Sequence, residues 1–287
     1  MSLHQESRNT ELSTSRRKPS VWMGMLLYLG YLAVFFSTWT INGVDYNRIG
    51  ENAETTKLWY AFPTLFGCAF LVVAISILGW WRIVLFDKSK SGPPWVWILP
   101  VVMVAIILNN FFGMPSGKLS AELVVWSSLG AVGVGFGEEM ITRGSMIVGL
   151  RSRFGEGRVW LISTLLFSAL HVPNVIFGLP MLAMPIQVLL TFIMGSGLYA
   201  MRRMSGTLIL PMVLHGLWDS SLFLNVATGG MPSNVQFAVY PLAIACVIAV
   251  LLNSRNARLP SYSLAGFPTK GNPEPKKHEK GARANEA

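Results

Sequence analysis

Six ionisable residues stand inside stretches of sequence that are otherwise too apolar to carry charge: Glu138, Glu139, Arg143, His171, His215 and Asp219. Their types suit hydrolysis, which needs a base to take a proton from water and donors to hold the negative charge that develops on the attacked carbonyl oxygen. Glu138, His171 and His215 also form a possible three-ligand set for a divalent metal such as zinc, with one position left open. No HExxH pattern places such ligands on one helix, however. A chain of ionisable groups within a membrane serves equally well as a proton relay. Helical spacing sorts the six. Glu139 and Arg143 are four residues apart, acid before base, the better orientation for an ion pair. Glu138 is rotated by about 100° from Glu139 and points elsewhere. His215 and Asp219 are again four apart, so Asp219 is placed to orient the imidazole, and Phe167 lies one turn before His171.

The elements that must position these residues are membrane helices. The chain has 287 residues, 52% hydrophobic and 13% charged, about half the charged share of an average soluble domain. Spanning the hydrocarbon takes about 20 mostly apolar residues. Eight stretches qualify: Val21–Ile41, Trp59–Trp81, Pro94–Phe112, Leu123–Leu150, Val159–Phe177, Pro185–Met204, Leu208–Val226 and Phe237–Leu252. The expected fold class is therefore an all-α, polytopic helical bundle. It divides into a polar tail at 1–20, a transmembrane domain at 21–252 and a basic, disordered tail at 253–287. The first twenty residues carry no cleavage signal. Cys68 and Cys246 both lie in apolar runs and suggest neither a disulfide framework nor a thiolate metal site.

The net charge of +9 invites a nucleic-acid reading, which the placement of the charges excludes. Lys and Arg cluster between apolar runs, on alternate loops, as the positive-inside rule requires. Of the 23 Lys and Arg, all but Arg48, Lys57, Lys118 and Arg143 fall on segments assigned to the cytoplasm, with both termini on that side. The bilayer and a membrane-associated peptide or protein are the expected partners, and a prokaryotic plasma membrane the expected location.

Depth supports a single site. Glu138 and His171 each lie ~18 Å from the cytoplasmic ends of their spans, and His215 and Asp219 lie ~11 and ~17 Å from theirs. Plainer readings stand beside this one. Glu139–Arg143 serves as a structural ion pair, an intramembrane His bonds a neighbouring helix, and Gly133, Gly137 and Gly144 form one stripe for close helix packing. A serine design of the GxSG type is out of pattern at Met194-Gly195-Ser196-Gly197, and an aspartyl design needs two intramembrane Asp where only Asp219 is present.

Glu138, Glu139 and Arg143 stand as EExxxR, Phe167 and His171 as FxxxH, and His215 and Asp219 as HxxxD. Three such motifs, in this order on separate spans over roughly residues 120–230, resemble the CAAX protease and bacteriocin-processing (CPBP) intramembrane protease family, of the type II prenyl-protein protease kind. The resemblance implies an endopeptidase whose cavity opens toward the cytoplasm. In it Glu138 and His171 activate water, His215 and the residue at 219 stabilise the oxyanion, and Glu139 with Arg143 support the site. Where prenyl proteases of this family commonly have Asn, this chain has Asp219. A carboxylate is ill suited to an oxyanion, so an orienting role toward His215 is expected instead. The family has been described both as metal-dependent and as glutamate-based, and the metal-independent route is the expectation here. A proton-coupled transporter and a non-catalytic scaffold or immunity protein are the alternatives, the former weakened by the lack of repeat symmetry.

Overall fold

A computed structural model describes residues 18–87, 90–115, 117, 119–231 and 233–256, without the side chains of 255 and 256. The polar tail at 1–17, Lys88, Lys118 and the basic tail from 257 onward lie outside the described residues. Among the described residues there is no strand, only an isolated bridge between Phe86 and Thr207.

The helices follow the sequence signals closely. Helix α1 is Val21–Ile41, capped by Ser20, whose hydroxyl accepts from the Met23 amide. Helix α2, Ala53–Leu78, opens on a reciprocal capping box between Asn52 and Thr55 and stops at Gly79, whose φ of 68° suits glycine. The span thus starts six residues earlier than its hydropathy implies, because the capping box, rather than the first aromatic residue, initiates the helix. A short α3, Trp81–Leu85, leads to α4, Pro94–Phe112. Helix α5 covers 121–150 and is α-helical over Ala121–Glu139, π-helical over Met140–Met146 and α-helical again over Ile147–Leu150. Helix α6, Glu156–Phe177, tightens to a 3₁₀ turn after His171, and α7 is Met184–Ser205. Helices α8, Ile209–Ala227, and α9, Asn234–Ser254, complete the bundle.

Seven of these helices are long and apolar enough to cross a membrane. The eighth long helix, α5, carries Glu122, Glu138, Glu139 and Arg143 and is not among the seven. It sits at the centre nonetheless, packed against α1, α2 and α8, while α7 packs on α6 and α9. Close approach depends on missing side chains: a Cβ at Gly135 would strike the α8 backbone at Met212 and Gly216, and one at Gly137 would strike the Tyr31 hydroxyl of α1. The expected glycine stripe is broken. Gly133 faces Thr64 and Gly137 faces Tyr31, but Gly144 faces Val84 and Leu208, because the π turn between them winds wider than an α turn and shifts the register. Trp22, Leu26, Val73, Val101, Val132 and Val213 are exposed around the outside, an arrangement suited to lipid and not to water.

The ends of α5, α6 and α7 and the loop after α3 are tied together on one side. Asp87 receives Arg151 Nη1 at 2.7 Å and Arg203 Nη1 at 2.8 Å, and Arg151 Nη2 reaches Glu156 Oε1 at 2.6 Å. Two arginines that charge counting reads as cytoplasmic labels are therefore also buried structural ties. Burial alone would raise the Asp87 carboxyl, but Arg151, Arg203 and Arg202 outweigh it and hold the group well below the usual carboxylate range. Asp87→Asn should accordingly cost about 3–5 kcal/mol, the usual penalty for breaking one side of a buried pair. A depressed carboxylate contributes its full stability above its unfolded pKa of about 3.9 and loses it as pH falls from there. Melting curves in detergent should separate wild type from Asp87→Asn at pH 7, and the gap should narrow progressively as pH falls below about 4. A gap unchanged at pH 3 would contradict this account of Asp87.

Candidate active site

The π-helical stretch of α5 sets the geometry. Glu139 ends the α-helical part and Arg143 lies within the π turn, with Arg143 Nη1 donating to Glu139 Oε1 at 2.9 Å and to Thr142 Oγ1 at 2.9 Å. Both side chains of the Glu139–Arg143 pair are fully buried. The same Glu139 oxygen lies 3.1 Å from His215 Nδ1 on α8. A carboxylate only accepts, so this contact puts the proton on Nδ1 and fixes the ring. The Arg143 guanidinium lies 3.7 Å from the centre of the Phe167 ring, a cation–π contact. That ring also meets His171 and His215 edge-on, each at 5.6 Å. Gly195 on α7 completes the enclosure, since a Cβ there would run into Arg143 and Phe167. Ser196 beside it donates to the Phe192 carbonyl and accepts from Trp160 Nε1. This gives the glycine-serine run a packing role.

Glu138, one residue before Glu139, faces the other way. It lines a cavity of about 280 Å³ together with His171, Asn174 and Asp219, and its Oε2 is buried without a hydrogen-bond partner. His171 stands where α6 tightens from α to 3₁₀ geometry, and its Nδ1 lies 3.3 Å from the Phe167 carbonyl. A carbonyl can only accept, so this contact selects the Nδ1–H tautomer and leaves Nε2 with the lone pair. Asp219 keeps about a third of its side chain exposed to the cavity.

The structure thus brings all six sequence-selected residues into one cluster but in two layers. Glu138, His171 and Asp219 form part of the cavity wall; Glu139, Arg143 and His215 lie buried behind it. Three expectations change. First, Glu139 holds His215, whereas Asp219 sits 3.7 Å from His215 Nε2, beyond a good hydrogen bond. The four-residue spacing brings Asp219 near, but the inward-facing carboxylate takes the ring. Second, Glu138, His171 and His215 do not fit a zinc site. His215 Nδ1 is held by Glu139, the ring lies behind the wall, and among the described residues no three His, Cys, Asp or Glu side chains could share a metal ion.

Third, the cavity, expected to open toward the cytoplasm, lies at the helix ends opposite those that carry the basic clusters. It is bounded by Trp39 at the C-terminal end of α1, by Tyr46 and Ile49 in the following connection, by Trp59 near the start of α2 and by Asn174 near the end of α6. Those helix ends are opposite the ones bearing Arg82, Arg151, Arg158, Arg202 and Arg203, which the positive-inside rule places in the cytoplasm. Residues outside the three motifs also shape this site. Tyr31, Tyr46 and Tyr60 line the cavity, yet aromatic residues in or near spans are too common to signal a site. Tyr46 accepts from Gln187 Nε2 at 2.7 Å, and Gln187 in turn accepts from Asn174. Burial pushes the Tyr46 phenol above its ordinary range, so it stays a donor at neutral pH.

Residues 120–221 match the family model of the type II CAAX prenyl endopeptidases, Rce1-like. The matched segment is a little over a third of the chain and contains all six residues of the cluster, in agreement with the motif resemblance, and it supports a peptidase at the general level. No curated protein and no solved structure matches the chain significantly.

The two adjacent glutamates should behave differently on substitution. Glu139→Gln weakens the ties to both Arg143 and His215 and should destabilise the protein by about 3–5 kcal/mol, as expected when a buried pair loses one partner. Glu138→Gln removes a charge that has no such partner and should leave the melting temperature close to wild type. Thermal melts in one detergent compare them directly, and equal losses would contradict the two-layer arrangement.

Proposed function

We propose that the protein is an intramembrane endopeptidase that hydrolyses a peptide bond in a membrane-associated peptide or protein. The observation that carries this is the convergence of Glu138, His171 and Asp219 on one cavity, with Glu138 Oε2 unpartnered, inside the segment that matches a prenyl endopeptidase family. Glu138 holds the hydrolytic water and takes its proton, while the lone pair of His171 Nε2 accepts the second O–H and orients the attack. The water oxygen bonds to the carbonyl carbon and the carbonyl electrons move to oxygen. On collapse the C–N bond breaks and Glu138 returns the proton to the leaving amine. Arg143 and Glu139 keep α5 and α8 in register, and His215, held by Glu139, lies just behind Asp219. No step requires a metal.

The substrate reaches this site from the non-cytoplasmic side of a prokaryotic plasma membrane. The cavity lies between Glu138 and the 42–60 segment, at the helix ends opposite the basic clusters. In a background with Cys68 and Cys246 replaced by Ala, Ile49→Cys should react with a membrane-impermeant maleimide added to intact cells. Reaction only in inside-out vesicles would reverse this assignment.

Activity is tested by comparing membrane-protein termini between cells expressing wild type, Glu138→Ala and His171→Ala. A set of new termini should be present in wild type and reduced about 10²–10⁴-fold in both variants, the usual contribution of a general base. Undiminished termini in both variants, with the proteins folded, would refute the peptidase reading.

A further inference from the structure

Hydrolysis needs a donor for the oxyanion as well as a base, and the residues expected to provide it are poorly placed here. Asp219 presents a carboxylate, which accepts hydrogen bonds and repels a developing anion. His215 already gives Nδ1 to Glu139 and lies behind the wall. Two other groups on the wall are built to donate. The hydroxyls of Tyr31 on α1 and Tyr60 on α2 are both buried, both on residues lining the cavity, and neither has a hydrogen-bond partner. Leaving a buried hydroxyl unpaired costs roughly 1–3 kcal/mol, so an occupant that accepts a hydrogen bond is favoured there.

Each tyrosine is held in place. Tyr31 is 2% exposed, and its hydroxyl packs where a Cβ on Gly137 would be, immediately before Glu138. Tyr60 stacks on Phe223 with ring centres 4.6 Å apart and planes 10° from parallel, one helical turn after Asp219. Tyr60 also sits in a π-helical stretch, Lys57–Ala61, a local widening that often marks functional positions. The wall therefore carries one unpaired acceptor, Glu138 Oε2, and two unpaired donors. That complement suits a water and a carbonyl oxygen together.

We infer that the Tyr31 and Tyr60 hydroxyls form the oxyanion hole of this enzyme, hydrogen-bonding the scissile carbonyl oxygen and the tetrahedral oxyanion, in place of the donor that Asp219 cannot provide. This rests on the peptidase reading above. The phenols donate hydrogen bonds only; the proton moves from water to Glu138 and then to the leaving amine.

The test uses the full chain in detergent micelles with a pooled library of internally quenched peptides. Tyr31→Phe and Tyr60→Phe should each lower kcat by about 10²-fold with KM little changed, the signature of a donor that acts in the transition state. Melting temperatures should hold or rise, since each hydroxyl is unpaired, and a merely structural tyrosine would keep kcat. Asp219→Asn, which supplies a new donor on the same wall, should restore part of the activity lost in Tyr60→Phe. A double Tyr→Phe variant that retains wild-type kcat while Glu138→Ala is inactive would overturn the oxyanion-hole assignment alone. Cleavage by Glu138→Ala at the wild-type rate would overturn the peptidase reading and this inference with it.

Discussion

The buried carboxylate of Glu139, shared between Arg143 on its own helix and His215 on α8, is the interaction on which the rest of the site depends. Burying three such groups is expensive, and replacing a buried ion pair with apolar side chains of similar shape is often neutral or favourable for stability. Its value here is positional. The pair fixes the rotation of α5 about its axis, because Glu139 must face α8 to reach His215. Successive residues on a helix diverge by about 100°, so a Glu139 locked inward forces Glu138 out toward the cavity. The Arg143 guanidinium over Phe167 extends the same constraint to α6, and Phe167 lies against both histidines. One ion pair thus sets the orientation of the groups that face the cavity.

A second ionic cluster works at the other level of the bundle. Asp87 joins Arg151 and Arg203, and Arg151 and Tyr199 converge on Glu156, all at the basic ends of the helices. This ties α5, α6 and α7 together at the ends that the positive-inside rule assigns to the cytoplasm. Beyond the Glu139–Arg143 pair, on the side away from the Asp87 cluster, the helices approach through glycines, with Gly135 against Gly216 and Gly137 against Tyr31. The cavity lies on the far side of the Glu139–Arg143–His215 layer from the Asp87 cluster. The tied ends and the ends that enclose the cavity are therefore different ends of the same helices, which lets the wall be shaped by aromatic side chains without loosening the ties.

Much of this was legible in the residues. Charges in apolar runs are costly enough that Glu138, Glu139, Arg143, His171, His215 and Asp219 stand out, and helical spacing correctly separated Glu138 from its neighbour. Most helix boundaries fall close to the apolar runs. What escaped has identifiable physical causes. The π turns at Lys57–Ala61 and Met140–Met146 depend on tertiary contacts and leave no hydrophobic period of their own, so the displacement of Gly144 from its stripe was invisible. Counting basic residues assigns them a side of the membrane but not partners, so the burial of Arg151 and Arg203 leaves no mark in the charge pattern. The i,i+4 spacing of His215 and Asp219 is right for a contact, but it could not reveal that Glu139 from another helix takes the imidazole first.

The location of the cavity follows from combining two observations that neither carries alone. Loop charges orient the chain, and the lining residues show which ends of the helices enclose the space. Glu138 and His171 lie at one end of the cavity, Tyr46 and Asn174 at the other, with Leu32, Phe35 and Leu170 among the apolar residues of the wall. Among the described residues no lysine or arginine lines it. The wall thus offers shape, apolar contact and neutral donors, and its two carboxylates, Glu138 and Asp219, disfavour an anionic occupant. That combination fits the proposed substrate, an extended peptide segment without acidic side chains, whose carbonyl groups the unpaired hydroxyls near Glu138 would receive.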